Sequence, residues 1–134
     1  MDKRKILLVD DEADFRELMG VRIKGWGYDL IEASNGKEAI DAAMSKNPDI
    51  VILDYMMPEM DGVATLKEIR KIDKDLPVIM FTAYPDMKVQ QDVKDLRVSA
   101  FIPKLSVFAE AQASLKNALR LVAKKLDEKG QKNG

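Results

Sequence analysis

Short continuous apolar runs alternate along this chain with longer segments whose apolar positions recur every three or four residues. Ile6-Leu7-Leu8-Val9, Ile50-Val51-Ile52-Leu53 and Val78-Ile79-Met80-Phe81 are such runs, as strands buried on both faces require. Residues 28–33 and 98–102 suit two more polar strands, and Pro103 at the end of the second fits an edge position. Between them lie five helical patterns. Residues 14–25 carry Phe15, Leu18, Met19 and Ile23, and Gly25 and Gly27 end the helix. Asn35 is placed to cap a helix with Ala39, Ile40, Ala43 and Met44 on one face, stopped by Asn47-Pro48. Val63, Leu66, Ile69 and Ile72 form a third stripe. A weak fourth helix, with Pro85 in its first turn, carries Val89, Val93 and Leu96. The last helix, about residues 107–129, aligns Phe108, Ala111, Leu115, Leu119, Val122 and Leu126, and leaves 130–134 as a frayed tail.

Five β–α units predict one α/β domain over residues 1–129. Its sheet is parallel and doubly wound, with helices on both faces and right-handed crossovers. The three strongly apolar strands are expected inside the sheet and the two weaker ones outside.

Composition narrows the chemistry. With 134 residues the chain can bury a core, and 46% hydrophobic against 34% charged residues is a globular balance. A net charge of -1 offers no broad field for nucleic acid or an anionic membrane. The apolar run after the charged N-terminus is too short for a signal segment or a membrane span, so a cytoplasmic location is expected. Cysteine and histidine are both absent. Disulfides, thiolate catalysis, imidazole acid–base chemistry and histidine-ligated metals are thereby excluded. Carboxylates, lysines, hydroxyls and backbone remain.

The carboxylates are well placed. Asp10 and Asp11 directly follow the first apolar run, and Asp54 follows the third strand. Ligands of doubly wound sheets gather outside the carboxyl ends of the strands. If the first and third strands are neighbours, three acids converge there and repel one another unless a cation sits among them. With oxygen donors only, Mg²⁺ fits best, since it binds through a few carboxylates and keeps positions for water and phosphate. Thr82 ends the fourth strand and Lys104 follows the fifth. A hydroxyl, a fixed cation and Mg²⁺ around a carboxylate can handle a phosphoryl group, and an Asp can itself be the nucleophile.

Each residue also has a plain structural use. Asp10-Asp11 could cap the first helix, Thr82 is a good strand former, Lys104 could be one more solvated lysine, and Met56-Met57 could fill gaps. Their combination at strand ends favours the site. Competing motifs fail on placement. Gly25-Trp26-Gly27 lacks a third glycine and precedes the second strand, and no Gly-Lys-Ser/Thr phosphate loop occurs. Asp10-Asp11-Glu12 lacks the Asp-x-Asp of haloacid-type hydrolases, and Asp127 and Glu128 dilute the lysines of the tail.

Asp10-Asp11, Asp54, Thr82-Ala83 and Lys104, with Met57-Pro58 and Asp61-Gly62 after the central Asp, resemble the receiver domain of two-component response regulators. The resemblance runs from residue 5 to about 125. It implies a flavodoxin-like (βα)5 fold with a five-stranded parallel sheet in the order 2-1-3-4-5. It also implies that Asp54 accepts a phosphoryl group from a phosphohistidine on a sensor histidine kinase or phosphotransfer protein. Mg²⁺ would be held by Asp11, by Asp10 largely through water, by Asp54 and by the Met56 backbone carbonyl. Lys104, the Thr82 hydroxyl and the Ala83 N–H would hold phosphoryl oxygens. Phe101 matches the switch aromatic that turns inward with Thr82, and Pro58 and Gly62 shape the loop after Asp54.

By the same resemblance, a downstream protein would read the fourth helix, fifth strand and fifth helix, and a phosphorylation-dependent homodimer is compatible with this. The domain itself would bind neither nucleic acid nor membrane and would be a phosphoacceptor, not an enzyme. Two sequence departures stand out. Leu105 follows Lys104 where the family usually has Pro, so that peptide is expected trans, because cis would cost about 3 kcal/mol. Arg97-Val98 replaces the usual Gly-Ala pair before the fifth strand. Two other functions use the same residues: the receiver part of a truncated DNA-binding transcriptional regulator, and a Mg²⁺-dependent phosphohydrolase.

Overall fold

A computed structural model of the chain describes residues 3–57, 59–82, 87–103 and 108–133. The strands are β1 (Lys5–Val9), β2 (Asp29–Ala33), β3 (Ile50–Leu53), β4 (Val78–Thr82) and β5 (Ala100–Pro103). The α-helices are α1 (Ala13–Gly25), α2 (Gly36–Ser45), α3 (Gly62–Ile72), α4 (Met87–Val93) and α5 (Phe108–Asn133), and a 3-10 turn spans Lys94–Leu96. All strand pairs are parallel, and the sheet order is β2-β1-β3-β4-β5. This is the doubly wound order implied by the resemblance, with the three apolar strands inside.

Alternation within each inner strand explains why its run is unbroken. Ile6, Leu8, Ile50, Ile52, Ile79 and Phe81 pack with Met19 and Ile23 of α1 and with Leu115 and Leu119 of α5. Leu7, Val9, Val51, Leu53, Val78 and Met80 face the other way, toward Ala39 and Ala43 of α2, Leu66 and Ile69 of α3, and Val93 of α4. Each residue points opposite to its neighbour, and both faces are covered, so no polar position is left. The outer strands β2 and β5 are only partly buried.

Helix boundaries follow local chemistry. The Asn35 side chain accepts the Glu38 N–H at 2.8 Å, and the Glu38 carboxylate accepts the Ser34 N–H at 2.8 Å, so the α2 terminus is capped reciprocally. Asp61 caps α3 by accepting the Ala64 N–H at 2.8 Å. Three stripes are narrower than their apolar spacing suggests, because Leu18, Met44 and Ile72 are exposed. In α2 the buried face is Gly36, Ala39, Ala42 and Ala43. A Cβ on Gly36 would lie 2.4 Å from Thr65 Oγ1, so α2 and α3 approach through small residues and the larger Met44 stays outside.

Two expectations change at the C-terminal half. The fourth helical stripe continues through Leu96 only by tightening into the 3-10 turn, which Arg97 ends at φ 58° and ψ 48°. The last helix runs on to Asn133, past the expected end near residue 129. Lys, Gln and Glu around Gly130 are good helix formers, and one glycine costs only about 1 kcal/mol. Among the described residues, no helix is long and apolar enough to cross a membrane.

Candidate functional site

The register of the sheet aligns the carboxyl ends of β1 and β3. Val9 pairs with Ala33 on one side and with Leu53 on the other. The next residues are held by the last rungs of the same ladders. The Asp10 N–H donates to the Ala33 carbonyl and the Asp54 N–H to the Val9 carbonyl, both at 3.1 Å. Asp10 and Asp54 are thus fixed side by side where the two strands end.

Three acids meet at this edge. Carboxylate oxygens of Asp10, Asp11 and Asp54 lie within 4.8 Å of one another. Asp10 is 1% exposed and Asp54 4% exposed, whereas Asp11 is open to solvent. The Glu12 N–H donates to Asp10 Oδ1 at 3.0 Å, which fixes the orientation of that carboxylate. Clustered anions in a partly buried crevice gain from a cation, and an all-oxygen donor set with an open side suits a hard divalent ion. The convergence expected from sequence is therefore present.

Behind β3, the chain turns tightly into α3. The Gly62 N–H donates to the Tyr55 carbonyl at 2.8 Å, and a Cβ at Gly62 would lie 2.3 Å from the Asp54 carbonyl oxygen. Only glycine fits there, so Asp61-Gly62 both caps α3 and packs its start against the Asp54 backbone. Met56, two residues after Asp54, has an exposed side chain.

Thr82 is the last residue of β4, and its Cα partner is Pro103 of β5. Its backbone thus ends at the same edge of the sheet as the acids. The expectations on Pro58, Ala83, Pro85, Lys104 and Leu105 lie outside the described residues. Phe101 pairs with Met80 and is half-buried against the cluster containing Val93, Leu96 and Val98. It also lines a cleft of about 230 Å³ with Gln90, Lys94 and Arg97.

Two arginines contribute more than their sequence context suggests. Arg16, in the first turn of α1, donates from Nη1 to the Asp10 backbone carbonyl at 2.7 Å, and its Nε lies 3.4 Å from Glu32 Oε1. Arg70 of α3 donates to the carbonyls of Leu96 (2.7 Å), Leu76 (2.6 Å), Arg97 (3.1 Å) and Asp73 (3.3 Å). Burial pulls the Arg70 pKa below the ordinary guanidinium value, with Asp73 and Asp75 opposing. In sequence both look like solvated helix residues. A guanidinium that reaches distant backbone carbonyls leaves no local motif.

Comparison with known proteins agrees with the geometry. A profile described as the response regulator receiver domain matches residues 6–120. The chain is 35% identical over 121 residues to sporulation initiation phosphotransferase F of Bacillus subtilis, covering 90% of this chain and 98% of that protein. It is 38% identical over 124 residues to the probable transcriptional regulator ycf27 of Porphyridium aerugineum, covering 92% of this chain and 51% of that one. The chain thus spans about half the length of several regulators it matches. Among solved structures, response regulator TrrA of Thermotoga maritima in complex with Mg²⁺-BeF superposes with a TM-score of 0.73 at 36% identity, covering 86% of this chain and 98% of that one. Chemotaxis protein CheY4 of Vibrio cholerae gives 0.79 at 25% identity, covering 87% and 99%.

Proposed function

The chain belongs to the response regulator receiver domain family, and on that premise we propose that it is a Mg²⁺-dependent phosphoacceptor switch with Asp54 as the acceptor. The observation that carries the proposal is the convergence of Asp10, Asp11 and Asp54 at the carboxyl edge of β1 and β3. Asp11, Asp54 and the Met56 backbone carbonyl would hold Mg²⁺ directly, with Asp10 acting largely through water. When bound, the ion offsets the charge gathered on the phosphoryl oxygens and the acids.

In the transfer step, an Asp54 carboxylate oxygen bonds to phosphorus as the bond from phosphorus to the donor breaks. The donor keeps the electron pair of that bond. The bond from the Asp54 N–H to the Val9 carbonyl fixes the backbone of the acceptor, so most of the chemistry is positioning. Lys104, the Thr82 hydroxyl and the Ala83 N–H take the phosphoryl oxygens. Phosphorylation then draws Thr82 toward the phosphoryl group, Phe101 turns inward, and the face formed by α4, β5 and α5 changes for a downstream protein. Because these 134 residues contain no histidine, the phosphohistidine would lie outside this sequence, on a sensor histidine kinase or phosphotransfer protein. Location in the cytoplasm follows from that partnership.

The transcriptional regulators among its relatives favour a second reading, in which this receiver serves a DNA-binding output. The full reading frame of the source gene discriminates the two. A phosphohydrolase using the same acids would give sustained turnover of phosphate esters, whereas a switch gives one phosphorylation and slow hydrolysis.

The direct test uses acetyl phosphate as donor. With Mg²⁺, close to one phosphoryl group per chain is expected, and little with EDTA or in Asp11→Asn. Equal incorporation with and without the metal would remove the proposal.

A further inference from the structure

Asp10 is held at its backbone N–H, its side chain and its carbonyl. Its N–H is bound to the end of β2 through Ala33, its side chain to the Glu12 N–H, and its carbonyl to Arg16. Arg16 contributes the charged side chain of this set. Its side chain is 19% exposed and reaches back from α1 to the carbonyl of residue 10, six positions earlier. The same guanidinium meets Glu32 on β2, whose side chain is 46% exposed. One planar fork therefore joins the first turn of α1, the residue that follows β1 and the neighbouring strand.

This arrangement carries a specific electrical consequence. An unpaired guanidinium beside three carboxylates would compete with a metal as their counter-ion. Glu32 shares that charge through Nε, and Nη1 of the same fork is given to the neutral Asp10 carbonyl. We infer that Arg16, charge-matched by Glu32, is a positioning residue that sets the Asp10-Asp11 backbone for Mg²⁺. The inference rests on the Mg²⁺ site proposed above and deepens it. Outer-sphere partners of metal ligands commonly shift metal affinity by about ten-fold or more.

The test is calorimetric titration with Mg²⁺ of the parental chain, Arg16→Met and Glu32→Gln, paired with acetyl phosphate labelling across Mg²⁺ concentrations. Arg16→Met removes both contacts and is expected to weaken Mg²⁺ binding about ten-fold. Its labelling rate at saturating Mg²⁺ should stay within about two-fold of the parent, because the ion itself restores the geometry. Glu32→Gln keeps the bond to the Asp10 carbonyl and is expected to lose less than about five-fold. It also changes a half-exposed side chain on an outer strand, so it remains informative if Arg16→Met folds poorly. A general structural role would lower the labelling plateau and leave the Mg²⁺ midpoint unchanged, which would overturn the inference, as would parental Mg²⁺ affinity in both variants. If the parental chain takes up no Mg²⁺, the metal site itself falls and this inference with it.

Discussion

Gly62 shows how one residue supports the site without touching a ligand. A side chain there would run into backbone, with the Asp54 carbonyl oxygen at 2.3 Å and the Tyr55 Cα at 2.8 Å, and neither can rotate away. Gly62→Ala is therefore expected to lower stability by about 2 kcal/mol in urea denaturation and to slow labelling by displacing the β3–α3 turn. Unchanged stability would show that the turn has room to relax. Asp10, Asp11 and Asp54 were legible in sequence because each directly follows an apolar run. Thr82 and Lys104 gained weight only from that company. Arg16 and Arg70 were not legible at all, since their hydrogen bonds run to backbone carbonyls that carry no residue identity and the Glu32 partner of Arg16 lies on another element.

Among the elements, the link from α4 to β5 departs most from the sequence pattern. The apolar spacing of Val89, Val93 and Leu96 predicts one helix, but its last turn tightens and ends on Arg97 in the left-handed region. That conformation costs a non-glycine residue about 1 kcal/mol, and the replaced family glycine would adopt it freely. Arg70 holds this corner through the Leu96 and Arg97 carbonyls, which do not depend on the Arg97 side chain. Among the described residues, the ion pair of the Arg97 side chain is an exposed one with Asp75 at 3.5 Å, a contact of small value. Arg97→Gly is thus expected to raise stability by about 0.5 kcal/mol, the left-handed strain relieved less the greater entropy of an unfolded glycine. A loss of stability by urea melt would mean that the side chain anchors the corner. The three inner strands, by contrast, were legible almost to the residue, because burial on both faces leaves short unbroken apolar runs.

At the scale of the molecule, five β–α units dictated a doubly wound sheet, but the order of its strands did not follow from pattern alone. Apolarity separates inner strands from outer ones, and it does not say which inner strand neighbours which. The family resemblance supplied the order 2-1-3-4-5, and the register observed between Val9 and Leu53 is what makes a site of separate acids. A consequence for the whole fold follows from binding linkage. An ion that binds only the folded arrangement stabilises it, by about 1.4 kcal/mol at ten times its Kd. Mg²⁺ should therefore raise the melting midpoint of the parental chain and leave Asp11→Asn nearly unmoved. Equal shifts in both would place the ion elsewhere.

Mapping the acceptor tests the central claim most directly. Borohydride reduces an acyl phosphate on aspartate to homoserine, and peptide mass spectrometry after acetyl phosphate and Mg²⁺ treatment locates it. Homoserine is expected at position 54, with no phosphoryl incorporation in Asp54→Asn. Reduction at another aspartate in the parental chain, or undiminished incorporation in Asp54→Asn, would contradict the assignment.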